Sequence, residues 1–171
     1  MNIASATSET VMSLAGMREE LVAANINART GLSTDYLNHF NEMVMLIGLY
    51  PTAADLKDEI LDWKLLGYRE HFETSGFRAK ALALLAYDLA TPALKKNLDV
   101  IVAELDTVLL LAQNAISAEK YHGEANAMLQ ESTEAVEMLI ARASALINGL
   151  AEPEEASADD AQAAVDALFE G

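Results

Sequence analysis

Thr91-Pro92-Ala93-Leu94-Lys95-Lys96-Asn97-Leu98-Asp99-Val100-Ile101-Val102-Ala103-Glu104-Leu105 opens a run that continues to about Tyr121 without a helix breaker. Thr91 is a suitable cap, and Pro92 fits the first helical position, where its missing N–H costs nothing. Leu94, Leu98, Ile101, Leu105, Val108 and Ala112 then recur at three- and four-residue steps, the spacing of a bundle or coiled-coil seam. A helix of roughly thirty residues is long for a globular protein and reads as the spine of a bundle.

Working outward, Gly123 marks an end or kink. Glu124 to Asn148 resumes the helix, with Met128, Val136, Leu139, Ala143 and Leu146 apolar, until Asn148-Gly149 stops it. Upstream, Ser8 to Arg29 reads as a first helix, closed by Thr30-Gly31-Leu32. Ser33 or Thr34 caps a second helix that runs to about Leu49, with Asp35 in its first turn. Pro51 turns Tyr50 away from helix. A third helix is expected over about Ala53–Leu66, a short one over Tyr68–Phe72, and another over Phe77–Leu89.

Composition agrees. Apolar residues make up 52% of the 171, but aromatics only 6%, so the core is expected to be mostly Ala, Leu, Ile, Val and Met, a set that leans toward helix in being short of the aromatic residues that favour strands. The expected fold is all-α: an elongated bundle of long antiparallel helices over residues 1–149. Its 3-4 seam suits an internal contact or a homodimer alike.

The net charge of −16, from 27 acids against 11 bases, repels phosphate backbones and anionic headgroups, so neither nucleic acid nor a membrane surface is an expected partner. The most apolar stretch, Val108–Ala112, is far too short to cross a bilayer, and Met1–Ser5 lacks the pattern of a signal peptide. A cytoplasmic location is expected, and the absence of cysteine is compatible with it. No cofactor is implied. Glu119-Lys120-Tyr121-His122 fits one Glu-x-x-His unit of a di-iron bundle, but two such units are needed and His39-x-x-Glu42 is reversed; no metal site is expected.

Residues 150–158 read as an acidic, extended linker around Glu152-Pro153-Glu154-Glu155. Residues 159–171 regain a helical pattern, with Ala161, Val165, Leu168 and Phe169 on one face. An amphipathic helix on a tether is a common docking device.

Ala161-Gln162-Ala163-Ala164-Val165-Asp166-Ala167-Leu168-Phe169 resembles the response-regulator-binding segment of bacterial chemotaxis and motility proteins of the CheZ and FliM type. Gln162, Val165, Asp166, Leu168 and Phe169 match that pattern, while Ala161 stands where Ser is usual and Ala164 where an acid is usual. The resemblance implies a cytoplasmic signalling protein that binds a CheY-like receiver domain through these five residues. It leaves two roles open, adaptor and phosphatase. The phosphatase's Asp-x-x-x-Gln signature is not found in this chain; Asp106 and Gln113 stand seven positions apart.

Independently of the tail, Asp35, Asn38, His39 and Glu42 share one helical face. An acid with an amide is the equipment by which auxiliary phosphatases orient a water at a receiver's acyl phosphate, so Asp35 and Asn38 are the candidate catalytic pair. The same face also reads as ordinary solvated helix. Trp63, Tyr68 and His71, with Arg69 and Phe72, gather aromatic weight that suits either a partner surface or a plug between short helices. A non-enzymatic interaction bundle with a solubilising acidic tail is the alternative to the signalling role.

Overall fold

The computed structural model describes residues 13–150, and among them every regular element is helical. In chain order these are α1 (Arg18–Ala23), α2 (Asn38–Leu49), α3 (Lys57–Asp62), α4 (Tyr68–Thr74), α5 (Lys80–Leu89), α6 (Pro92–Ala118) and α7 (Asn126–Ile147). Short 3₁₀ turns precede α2 and α3.

The spine forms as its sequence dictates. The Thr91 side chain accepts from the Leu94 N–H at 3.3 Å, and Pro92 occupies the first turn of α6. Leu94, Leu98, Ile101, Leu105, Leu109, Ala112 and Ile116 are buried; Leu109, rather than the expected Val108, is the fully buried residue in that turn. α7 lies against α6, with Leu129, Val136, Ala143, Leu146 and Ile147 in the shared core and Arg142 paired to Glu104 at 3.0 Å.

The connection between these two helices is organised by one carboxylate. Glu119 accepts from the Gly123 and Ala125 N–H groups at 3.1 and 2.9 Å, and from the Tyr50 hydroxyl at 2.6 Å. Partial burial pushes its pKa upward, but these hydrogen bonds outweigh that effect and hold it below the ordinary carboxylate value. His122 hydrogen-bonds the Pro51 carbonyl at 3.1 Å. The Glu-x-x-His unit noted in the sequence therefore ties α2's end to the α6–α7 turn.

Two helices are shorter than their sequence patterns suggest. The first, whose expected start at Ser8 lies outside the described residues, ends at Ala23 rather than near Arg29 because asparagines take over the backbone. Asn25 adopts a left-handed φ of 58°, and the Asn27 side chain accepts from the N–H groups of Arg29 and Thr30. The third stops at Asp62, and the chain runs extended from Trp63. There the Gln113 amide of α6 donates to the Ile60 and Trp63 carbonyls at 2.7 and 3.0 Å, satisfying the helix end from outside.

The loop after α1 clasps the far end of α7. Thr30 donates to the Ile147 carbonyl at 2.6 Å, Asn27 to the Asn148 carbonyl at 3.4 Å, and Arg29 to the Gly149 carbonyl. α7 ends in a Schellman motif: the Gly149 and Leu150 N–H groups return to Leu146 and Ala145, with Gly149 at φ 66°.

Candidate functional site

Asp35 and Asn38 sit where the chain enters α2. Ser33 caps the 3₁₀ turn Thr34–Leu37, its hydroxyl accepting from the Asp35 N–H at 3.2 Å and donating to the Asn25 carbonyl at 3.0 Å. The Ser33 N–H in turn donates to the Tyr68 hydroxyl at 2.9 Å. This seats the turn on α4. The Asn38 amide donates to Asp35 Oδ1 at 3.1 Å, so the acid and amide are direct neighbours, with Asn38 exposed and Asp35 half-buried.

The sequence pattern puts Asp35, Asn38 and His39 in one group and Trp63, Tyr68 and His71 in another. The structure merges them. His39 stacks on Trp63, centroids 4.4 Å apart and planes 17° apart. The His71 ring centroid lies 6.2 Å from that of His39, and its Nε2 is 3.7 Å from Asp35 Oδ2. Tyr36 packs edge-on against Phe40, Tyr68 and His71, and its hydroxyl donates to the Leu66 carbonyl at 2.8 Å. Burial is the main reason the Tyr36 and Tyr68 phenols are pushed well above their ordinary range, so both are neutral hydrogen-bonding groups. Glu42 is exposed and makes no hydrogen bond or salt bridge among the described residues.

His39 Nε2, Trp63 Nε1, His71 Nε2 and Asp106 Oδ1 are buried and lack a hydrogen-bond partner among the described residues. Native interiors seldom leave such atoms unpaired, and where they do the position invites a functional reading. Three of these atoms belong to the cluster of His39, Trp63 and His71, where Asp35 Oδ2 lies 3.7 Å from His71 Nε2; imidazole and indole nitrogens in such a setting can hold a small polar molecule or pass a proton. Among the described residues no group of three or more His, Asp or Glu is placed to hold a metal ion.

No family model, curated protein or solved structure matches this chain. Gln162, Val165, Asp166, Leu168 and Phe169 lie outside the described residues, as do the linker and the whole of the expected docking helix. The merger of the two groups is what local pattern reading missed. The signal for it was the high share of Tyr, His, Phe and Trp packed into residues 36–77 of a chain otherwise poor in aromatics.

A pH dependence follows. Burial lowers the His39 pKa below its ordinary 6.5, outweighing the opposing influence of the nearby Lys64 backbone. The folded state thus binds this proton less readily than the unfolded chain does. Its contribution is complete above the unfolded pKa and is lost as pH falls from about 6.5 toward the folded value. The urea midpoint is expected to drop between pH 7.5 and 5.5, and less so in His39→Phe, which keeps a ring on Trp63. An equal drop in both proteins would show that His39 does not contribute.

Proposed function

We propose that this chain is a cytoplasmic motility-signalling protein that docks a CheY-like receiver domain through its C-terminal segment. The observation that carries the reading is the pattern Gln162-x-x-Val165-Asp166-x-Leu168-Phe169. The segment follows Leu150, which leaves the domain at a clasped helix end and is itself exposed. The acids 152, 154 and 155 give the connection reach and steer the segment toward a basic rim on its partner. In this reading α6 and α7 form a long antiparallel pair, as the Glu104–Arg142 bridge and the Glu119 turn suggest, and residues 159–171 form a helix.

The phosphatase role rests on the Asp35–Asn38 contact. Asn38 has its remaining amide N–H and its carbonyl available to a water, and Asp35 has no Lys or Arg partner among the described residues. Both could face a docked receiver's phosphorylation site.

A labelled peptide of residues 159–171 is expected to bind phosphorylated receiver domain saturably. Replacing Leu168 and Phe169 with Ala should weaken binding by about tenfold or more, the usual consequence of removing two apolar anchors. Absence of saturation at high micromolar receiver would sink the docking reading. The intact protein should also speed receiver dephosphorylation, and Asn38→Ala should remove that acceleration. An unchanged rate with intact protein eliminates the phosphatase role alone.

A further inference from the structure

Charge is unevenly placed along this chain. Residues 63–98 carry six bases and three acids, whereas all other positions together carry five bases and 24 acids. That stretch spans α4, α5 and the start of α6, and it is net positive in a chain of net charge −16. Within it Arg69 is paired with Asp88. Arg78 and Lys80, where α5 begins, are exposed and form no ion pair among the described residues; Lys80 meets the Glu73 carbonyl at 3.5 Å.

Beside Arg78 lies an open, mostly apolar groove of about 560 Å³, a size that accepts ligand-sized groups. One wall is the end of α1, with Glu20, Ala23, Ala24 and Asn25, and the other is Phe77, Arg78 and Ala79.

We propose that residues 159–171 of the same chain seat their Val165, Leu168 and Phe169 face in this groove. Charge and reach select that occupant. Residues 151–171 hold seven acids and no base, the complement of the net-positive stretch that supplies the Phe77 wall. Asp166 flanks the apolar face, and the groove's polarity turns it toward Arg78 and away from Glu20. The root of the tail lies alongside. Leu150 follows Gly149, whose carbonyl takes the Arg29 guanidinium, and the loop carrying Arg29 starts at Asn25 in the groove wall and brings Gly31 against Ala86 of α5. Residues 151–158 reach about 26 Å when extended at roughly 3.3 Å each, and the tether holds the segment at high local concentration. Residues 1–12 hold one acid and no Lys or Arg, so charge gives them no such preference. With the tail seated, the residues read as receiver-binding are covered by their own domain, and a receiver must displace it to engage them. This regulatory consequence rests on receiver docking; the contact within the chain does not.

A spin label tests the contact with no receiver present. The chain has no cysteine, so Gly171→Cys places a single label at the end of the full chain. Amide signals of Ala23, Ala24, Phe77 and Ala79 are expected to broaden well beyond those of Ala127 and Met128 at the far end of α7. The effect should persist on dilution and shrink in about 1 M salt, where charges are screened beyond about 3 Å. Leu168→Ala with Phe169→Ala, and separately Arg78→Glu with Lys80→Glu, should each return the groove amides to the level of the remote ones. If the charge-reversed variant fails to fold, the tail variant and the salt series decide on the native domain. The proposal is overturned by even broadening across the domain, by enhanced broadening at another surface, by an effect that fades on dilution, or by an undiminished effect in the folded charge-reversed variant. Receiver binding by the peptide is a separate measurement, so either reading can fail while the other stands.

Discussion

Replacing Phe40 with alanine is expected to destabilise the protein by about 3–5 kcal/mol, the range for removing a fully buried aromatic ring. Phe40 has no exposed surface. It meets Tyr36 edge-on at 5.3 Å, His39 at 5.4 Å and Trp63 at 6.4 Å between ring centroids. Of these rings, Tyr36 is pinned by its hydrogen bond to the Leu66 carbonyl, and His39 and Trp63 are stacked on each other. Tyr36 cannot collapse into the gap without breaking that bond, so the cavity term is added to the lost transfer energy. Total stabilities of domains are about 5–15 kcal/mol, so the variant should lose a large part of its folded margin. Urea denaturation followed by circular dichroism measures this, and a loss below about 1 kcal/mol would mean that the cluster repacks freely.

The second large effect is at Gly31. Its φ is +74°, and a Cβ built there would lie 2.5 Å from the carbonyl oxygen of Ala86 in α5. Gly31→Ala therefore meets both left-handed backbone strain and a backbone clash, together worth about 2–5 kcal/mol. Gly48 in α2 is the natural control. A Cβ there meets nothing within 4 Å, so Gly48→Ala should gain about 0.5–1 kcal/mol through helix propensity. Comparable melting temperatures for the two variants would contradict this account.

What was legible in the sequence follows from how local each determinant is. Thr91-Pro92 specifies the start of α6 through a side-chain cap and a fixed φ, both within a few residues, and the start was read correctly. Gly149 likewise marks the end of α7 from its own left-handed φ. The end of α3 was not legible, because Leu65 and Leu66 continue an apolar helical pattern while the amide that terminates the helix comes from Gln113, fifty residues away from Trp63. The contraction of α1 depends on asparagine side chains competing with helix, which a hydrophobic pattern does not register. At the candidate site, the Asp35–Asn38 contact follows from three-residue spacing, whereas the stack of His39 on Trp63 is a product of tertiary packing. Hydrophobic pattern also anticipated the filled seam of α6, whereas the groove between the end of α1 and Phe77 joins residues far apart in sequence and became evident only in the folded chain.

The clasp of residues 27–30 on the end of α7 couples the chain's beginning to its end across about 120 positions. Contacts so distant in sequence close a large loop, and the entropic cost of closure must be met before they give anything back. They are therefore expected to form late in folding. Once formed, they prevent the last helix from fraying by itself: peeling α7 away would strip Thr30, Asn27 and Arg29 of their acceptors and release the loop that seats Gly31 against α5. Local opening at either end is thereby made a shared event, and a protease that nicks the first loop should also loosen the root from which the acidic tail departs.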